Sequence, residues 1–347
     1  MLTGHGFAVK RHLFSVLCAL ALLLVIMKAA SGSDGIIERS HYLANSFNVL
    51  AYNIYMRPAG LFADDQADRA AALPSKLRGF DVIVFSEAFD NKVRNQLLAG
   101  LSGEYPYRTR ILGADGLITQ DGGVIIVSRW PITVEAHRLF GEVCAGGDCW
   151  ADKGVLYACF EKHGQSYHVF ASHTQSGRLP WQRRARMRQL GIIKSFIDDR
   201  GLSGTEPVFI AGDLNVDKYD AGEYPAMLRI LDAWYPQPLG HPYTVDRTVN
   251  QRAGYRLYLD YVLVSNRHLQ PANAIIETLI PRSQIPLEGD VICPIIFPYS
   301  GISCSLLPLP LPPSLRARTE LRSLHSRLAV VVVNVVDSHI HHFSPVT

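Results

Sequence analysis

Short runs of hydrophobic residues, separated by polar and turn-forming residues, fill the chain from about position 46 to position 280. Residues 47–54 (FNVLAYNI) alternate between apolar and polar positions, which is typical of a strand. Residues 81–85 (DVIVF) and 207–211 (PVFIA) are continuous apolar runs, which are typical of strands buried on both faces. Further strand-like segments follow in the order GVIIVS, ITVEAHRL, GVLYACFE, YHVFASHT and LDYVLV. This part of the chain is therefore predicted to be rich in β-strands.

Four other segments carry helical patterns. They are residues 63–77, which Pro74 interrupts, residues 90–101, residues 181–199 and residues 224–232. Asp90 stands where an N-cap is expected, and the third of these helices is long, basic and amphipathic. No internal repeat or linker separates the elements before Ile280. Residues 40–287 are therefore predicted to form one mixed α/β domain of the α+β type.

The N-terminus has the pattern of a targeting signal. Lys10 and Arg11 precede an apolar run over residues 13–27, and small residues follow at positions 29–32. This order is typical of a secretory signal peptide, which we place at residues 1–31. A permanent anchor helix is the alternative, but the run is shorter than the ~20 residues that a spanning helix requires. The prediction is a protein that is secreted, to the outside of the cell or to the periplasm, after cleavage.

The C-terminal segment, residues 288–347, differs from the rest of the chain. It contains no Lys, carries a Pro-Leu run (LLPLPLPP), and continues into an apolar block (LAVVVVNVV). Two interpretations stay open: a Pro-rich appendage, or sequence from an altered reading frame that is not native to the fold.

Composition narrows the class of protein. With 48% hydrophobic and 19% charged residues, the chain is not expected to be wholly disordered, collagenous or a polytopic membrane protein. A net charge of +3 gives no basic face of the kind that tracks nucleic acid, so no specific nucleic-acid partner is expected. In an exported protein, Cys144 and Cys149 would close a small disulfide loop; two free thiols are the alternative.

Polar side chains follow the predicted buried strands at the points where those strands end. These residues are Asn53, Glu87, His173, and Asp213 with Asn215. Polar groups at strand ends in a layered fold converge on one edge, where ligands bind. Glu87 and Asn53 offer hard oxygen ligands, which suit Mg²⁺. Asp213 and Asn215, two apart in an extended segment, are predicted to share a face, with His173 as a further donor.

Taken in order, YNIY, SEAFDN, DGGVIIVSRWPI, DKGVLYACF, ASHTQS, GDLNVD and LDYVLVS resemble motifs of the endonuclease/exonuclease/phosphatase superfamily, and most closely its secreted bacterial neutral sphingomyelinase branch. The resemblance spans residues 47–265. It implies a four-layer sandwich of two packed mixed β-sheets flanked by helices. It also implies hydrolysis of a phosphodiester by activated water with one or two divalent ions such as Mg²⁺. The substrate would be sphingomyelin or another phospholipid at a membrane surface, and the enzyme a monomer.

The resemblance also implies roles for single residues. Glu87 matches the metal-binding Glu, and Asn53 the Asn that supports the metal or the substrate phosphate. His173 and Asn215 match the pair that hydrogen-bonds phosphoryl oxygen, and Asp213 the Asp beside the attacking water.

Two further matches concern the phosphate and the general base. Lys153 lies in the DKG segment, which resembles the lysine-bearing loop near the substrate phosphate. Asp260 matches the carboxylate that orients the final catalytic His.

The sequence departs from the family pattern at its end. The family closes with Ser-Asp-His, which this chain lacks. His339 is the first candidate for the missing base and His342 the second. Alternative functions are a nuclease of DNase I type, another phosphoesterase on the same scaffold, or a catalytically impaired pseudoenzyme. An apolar cluster at residues 295–299 is predicted to contact the membrane.

Overall fold

The computed structural model describes residues 46–58, 65–236, 238–248 and 254–279, together with the backbone of 330–336. The predicted signal peptide (1–31), the cluster at 295–299 and His339 lie outside these residues. Within the described part of the chain, no helix combines the length and the apolar character that crossing a bilayer demands.

The strands in the described part of the chain form two large sheets. The first has the order β10-β14-β15-β1-β2-β4-β3. Its strands are β1 (Ser46–Met56), β2 (Val82–Ala88), β3 (Tyr107–Arg108), β4 (Ile125–Ser128), β10 (Pro238–Gly240), β14 (Asn273–Leu279) and β15 (Val330–Val336). β1 runs parallel to β2, whereas β15 is antiparallel to both of its neighbours, β14 and β1.

The second sheet has the order β5-β6-β7-β8-β13-β9. Its strands are β5 (Ile132–Leu139), β6 (Gly154–Lys162), β7 (Gln165–Ser172), β8 (Val208–Asp213), β9 (Ala233–Trp234) and β13 (Asp260–Ser265). β7 and β8 are parallel, and a small separate pair joins β11 (Val245–Asp246) to β12 (Arg256–Leu257).

Among the described residues, four α-helices accompany the sheets: α1 (Gln66–Ala72), α2 (Asn91–Leu101), α3 (Pro180–Asp198) and α4 (Glu223–Leu231). Asp90 caps α2 by accepting a hydrogen bond from the Val93 N–H at 2.8 Å. Pro74 lies in a 3₁₀ turn (Leu73–Ser75) that follows α1, so the helical segment ends there instead of continuing to residue 77. The proline removes one backbone donor, and the tighter turn accommodates that loss.

The main core lies between the two sheets. Alternate residues of β1 and β2, such as Val49 and Val84, are fully buried against residues of β6, β7, β8 and β13. The ring of Phe47 on β1 stacks on Tyr167 of β7 at 4.0 Å between centroids, which joins the two layers directly. Burying such a side chain stabilises the fold by roughly 1.5–3 kcal/mol.

The outer faces of both sheets are covered as well. A second core packs α3 and α4 on the outer face of the second sheet, and it includes Phe170 and Phe196. On the first sheet, the alternate residues Leu50 and Ile83 are also fully buried, although they face away from the inter-sheet core. The Arg94 guanidinium of α2 donates to the Ala88 carbonyl at 2.6 Å and ties that helix to the end of β2. The predicted α/β four-layer sandwich is confirmed.

A fully buried ion pair joins the two sheets at the N-terminal end of β1. The Lys162 ammonium lies 2.9 Å from Asp81 Oδ1, and Asp81 also accepts from the Asn48 N–H at 2.7 Å and from the Trp130 indole N–H at 2.6 Å. Removing one partner of a buried pair leaves an uncompensated charge. This cluster is therefore a structural anchor.

We expect Lys162→Met to lower the free energy of unfolding by about 3–5 kcal/mol, because the Asp81 carboxylate then stays buried without its cation. Urea unfolding followed by circular dichroism measures the change. Lys92→Met, at an exposed position on α2, is the control and should alter stability by no more than about 0.5 kcal/mol. Equal unfolding midpoints for the two variants would contradict the prediction.

Candidate active site

Four of the residues predicted from strand ends meet at one edge of the sandwich. Asn53 lies on β1, Glu87 on β2, Asp213 at the end of β8, and His173 directly after β7. All four side chains are buried. Because β1 and β2 belong to the first sheet and β7 and β8 to the second, the site lies across the two packed sheets.

The Asn53 amide connects the two carboxylates of the site. Its Nδ2 donates to Glu87 Oε1 and to Asp213 Oδ2, both at 2.8 Å, while its Oδ1 accepts from the Tyr55 N–H at 3.1 Å. The sequence interpretation treated Asn53 as an oxygen ligand. In this arrangement its oxygen accepts from the backbone and its nitrogen orients the two carboxylates, and the role of the oxygen as a ligand stays a prediction.

His173 completes the cluster. Its Nε2 lies 3.8 Å from Asp213 Oδ2 and 4.0 Å from Glu87 Oε1. One ligand atom from each of Glu87, His173 and Asp213 lies within 4.8 Å of the others. Two carboxylates this close in a buried site repel each other unless a cation neutralises them. Carboxylate oxygens are also the ligands that Mg²⁺ prefers, so the residues present fit a divalent ion.

The backbone at this edge adopts conformations that non-glycine residues rarely take. Glu87 has a φ of 55° and Asn215 a φ of 51°, both in the left-handed region. The pairing of β1 with β2 also shifts register between Asn53 and Met56. Such conformations cost about 1–3 kcal/mol each and concentrate at functional sites.

Hydrogen bonds bring Asn215 beside Asp213. The Asn215 N–H donates to Asp213 Oδ1 at 3.0 Å, and its Nδ2 donates to the Thr174 carbonyl, also at 3.0 Å. The predicted reason for their proximity, a shared face of one strand, does not apply, because β8 ends at Asp213. Thr174 follows His173 directly, so these bonds also fix the segment that carries the imidazole.

Lys153 lies next to His173. Its ammonium is buried, donates to Asp148 Oδ2 at 2.8 Å and to the Thr174 carbonyl at 3.1 Å, and stands 3.5 Å from His173 Nε2. Burial raises the pKa of the Asp148 carboxyl, but the Lys153 ammonium and hydrogen bonds from Ser176 outweigh that effect and hold the pKa below its ordinary value. Asp148 is therefore ionised at neutral pH and retains the lysine at the site.

A disulfide loop supplies Asp148. Cys144 and Cys149 are bonded to each other, with their Cα atoms 5.3 Å apart. The Gln175 side chain accepts from the Ala145 N–H at 2.7 Å and donates to its carbonyl at 3.0 Å, so the loop is held against the segment after His173. The sequence interpretation singled out neither Asp148 nor Gln175. An acid inside a Cys loop, five residues before Lys153, was the available signal.

Asp260 begins β13 and is buried directly opposite Asp213 in the antiparallel pairing of β13 with β8. Its backbone N–H donates to the Thr244 hydroxyl at 3.2 Å. A third buried carboxylate thus lies beside the cluster, where the resemblance implied the partner of a histidine. His339 lies outside the described residues.

Comparisons with known proteins agree with this fold. The model of the Endonuclease/Exonuclease/phosphatase family matches residues 46–281. Sphingomyelinase C of Bacillus cereus is 31% identical over 284 residues, covering 73% of this chain and 85% of that protein. Sphingomyelinase C of Leptospira interrogans is 36% identical over 275 residues, covering 70% of this chain but only 49% of the relative. The chain thus spans about half the length of that relative.

Solved structures show the same architecture. Sphingomyelinase C from Streptomyces griseocarneus superposes with a TM-score of 0.67 at 27% identity, covering 84% of this chain and 99% of that one. Beta toxin from Staphylococcus aureus, in a variant with bound magnesium ions, gives a TM-score of 0.69 at 26% identity, covering 84% of this chain and 100% of that one. Because the family match extends over more than half of the sequence, the protein belongs to the endonuclease/exonuclease/phosphatase family.

Proposed function

We propose that the protein is a secreted, Mg²⁺-dependent phosphodiesterase that hydrolyses sphingomyelin to ceramide and phosphocholine. The observation that carries the proposal is the buried pair of carboxylates, Glu87 and Asp213, bridged by one amide and flanked by His173 and Lys153. Relatives named sphingomyelinase C support the choice of substrate. The disulfide between Cys144 and Cys149 supports an oxidising compartment, which is where a protein exported by a cleaved signal peptide would be found.

The site residues divide the work on a phosphodiester. Glu87 and Asp213 would hold the metal ion, which supplies positive charge to the phosphoryl oxygens and the leaving oxygen when it is bound. His173 and Lys153 are hydrogen-bond donors that lie next to Thr174. Together with the Asn215 amide, they would stabilise the negative charge that develops on the phosphoryl oxygens. Asp213 would also accept a hydrogen bond from the attacking water. The donors Lys153 and Asn215 are fixed in advance by Thr174 and Asp148, and the two carboxylates are fixed by Asn53, so little reorganisation is needed.

The general base is the one part of this scheme that depends on the C-terminal segment. β15 runs antiparallel to β1, with Val331 opposite Ala51 and Val336 opposite Ser46. The C-terminal end of β15 therefore lies beside Ser46, which is seven residues before Asn53 on β1. Seven residues of strand correspond to a distance of ~23 Å. The three residues from Val336 to His339 span at most about 11 Å. This polarity favours a histidine that precedes β15.

His325 meets that condition. It stands five residues before Val330, and Val330 pairs with Leu279 at the end of the sheet that carries Asn53. The preceding residues, Ser323-Leu324, take the place of the family's Ser-Asp. We therefore propose His325, which itself lies outside the described residues, as the partner of Asp260 and revise the first choice of His339.

The experiment that tests the proposed function measures two substrates with one protein. We expect phosphocholine release from sphingomyelin vesicles to require Mg²⁺, to stop with EDTA and to be lost in Asp213→Asn. Supercoiled plasmid should stay intact under the same conditions. Plasmid nicking that Asp213→Asn abolishes would instead establish the nuclease alternative. A folded protein that binds Mg²⁺ but hydrolyses neither substrate would establish the impaired pseudoenzyme.

A further inference from the structure

Three large apolar side chains are exposed to solvent on two loops near the active site. Leu117 is 101% exposed, Ile118 71% and Trp150 55%. We call Leu117, Ile118 and Trp150 the apolar rim. Single exposed hydrophobic residues are common, but a group of them on adjacent loops marks an interaction surface.

Backbone hydrogen bonds hold the two loops together. The Gln120 N–H donates to the Trp150 carbonyl at 2.9 Å, and the Asp152 N–H donates to the Gln120 carbonyl, also at 2.9 Å. The Ala114 N–H donates to Asp152 Oδ2 at 3.2 Å on the other side of the apolar pair. Leu117 and Ile118 are thus carried on a loop anchored at both ends to the loop of Trp150. The rim is one preformed surface.

The rim is continuous with the active site. Trp150 is the last residue of the short 3₁₀ helix Gly146–Trp150, which also contains Asp148 and the disulfide half Cys149. Three residues later stands Lys153, whose ammonium lies 3.5 Å from His173 Nε2. A surface that contacts the rim therefore lies against the segment that holds Asp148 and leads to Lys153.

We propose that the apolar rim inserts into the surface of a zwitterionic phospholipid bilayer. The proposal rests on the proposed function, since a lipid substrate must be reached in its membrane. An indole flanked by two branched aliphatic side chains suits the boundary between headgroups and acyl chains. The net charge of the whole protein is only +3, so attraction to anionic lipid is not the driving force. The source of binding is apolar burial, which salt does not screen.

The test compares the full-length protein with the triple variant Leu117→Ser, Ile118→Ser, Trp150→Ser. Val134→Ser is the matched control, because Val134 is 45% exposed on β5 and pairs with Cys159, away from the rim. Binding to pure phosphatidylcholine vesicles is measured by sedimentation at low and high salt. Hydrolysis is measured on sphingomyelin vesicles and on a water-soluble chromogenic phosphocholine ester. The single variant Trp150→Ser is measured in parallel, so the test does not depend on the folding of the triple variant.

We expect the triple variant to bind vesicles at least tenfold more weakly and to lose vesicle hydrolysis in proportion. Its activity on the soluble ester should be unchanged, binding of the unmodified protein should not depend on salt, and the control should behave as the unmodified protein. Equal vesicle binding by the two rim variants and the unmodified protein overturns the proposal. Binding that requires anionic lipid and disappears at high salt also overturns it. Rim-dependent binding without any hydrolysis leaves the docking surface intact and refutes the proposed function alone.

Discussion

Glu87→Gln is expected to lower Mg²⁺-dependent turnover by about 10²–10³-fold, because it removes one of the two carboxylates that would hold the ion. The substitution is conservative for the fold. A glutamine oxygen still accepts the hydrogen bond that Asn53 Nδ2 makes to Glu87 Oε1 at 2.8 Å. The loss is therefore attributable to charge and not to a collapsed site. Turnover measured across a Mg²⁺ titration gives the change in maximal rate and in half-saturating concentration.

A second readout of the same variant does not depend on activity. A ligand that binds the native state stabilises it by RT ln(1 + [L]/Kd), so Mg²⁺ should raise the melting temperature of the unmodified protein. Glu87→Gln should lose that increase. Without metal, the variant should melt no lower than the unmodified protein, because one of two close buried carboxylates has been neutralised.

Glu161→Gln is the control for both measurements, since Glu161 is an exposed carboxylate on β6. It should leave the Mg²⁺ titration and the melting curves unchanged. If Glu87→Gln matches this control in both, the ion binds elsewhere and the proposed role of the carboxylate pair is refuted.

The period of the hydrophobic pattern predicted the strands and the mixed α/β class, and the resemblance to the family implied the four layers. Continuous apolar runs such as residues 81–85 and 207–211 became strands buried on both faces, because each sheet has a core on either side. The polar residues at their ends, Glu87 and Asp213, met at one edge for the same reason. Strand ends are local in sequence, and their convergence follows from the layered architecture alone.

The details of the site were not predictable from local pattern. Asn215 lies beside Asp213 through a left-handed backbone and a bond to Thr174, and no strand periodicity encodes that arrangement. The role of Asn53 depends on which way its amide is turned, which its neighbours decide. Asp148 acts on Lys153 only because a disulfide loop folds against Gln175. Each depends on contacts between segments far apart in the chain.

The direction of β15 could not be predicted from the local sequence pattern either. An apolar block such as LAVVVVNVV predicts a strand, but its direction depends on which neighbours it pairs with. In the structure it fills the position between β14 and β1 and runs against both. That direction is the reason why we propose His325, whereas the role of His339 stays a prediction, because both histidines lie outside the described residues.

His325→Ala is accordingly expected to lower turnover by about a hundredfold or more, which is the usual cost of removing a general base. His339→Ala should retain nearly full activity, because three residues beyond Val336 cannot return along β1 to Asn53. His342, six residues beyond Val336, would need an almost fully extended chain to do so.

Turnover on sphingomyelin vesicles is measured for each alanine variant over pH 5 to pH 9. The unmodified protein should lose activity as the pH falls and the general base becomes protonated, and His325→Ala should lose that limb of the profile. Asp260→Asn tests the partner: if the carboxylate orients this imidazole, combining it with His325→Ala adds little to the loss from His325→Ala alone. Full activity of His325→Ala together with a collapse in His339→Ala would refute the assignment, and with it the register of β15 on which it depends.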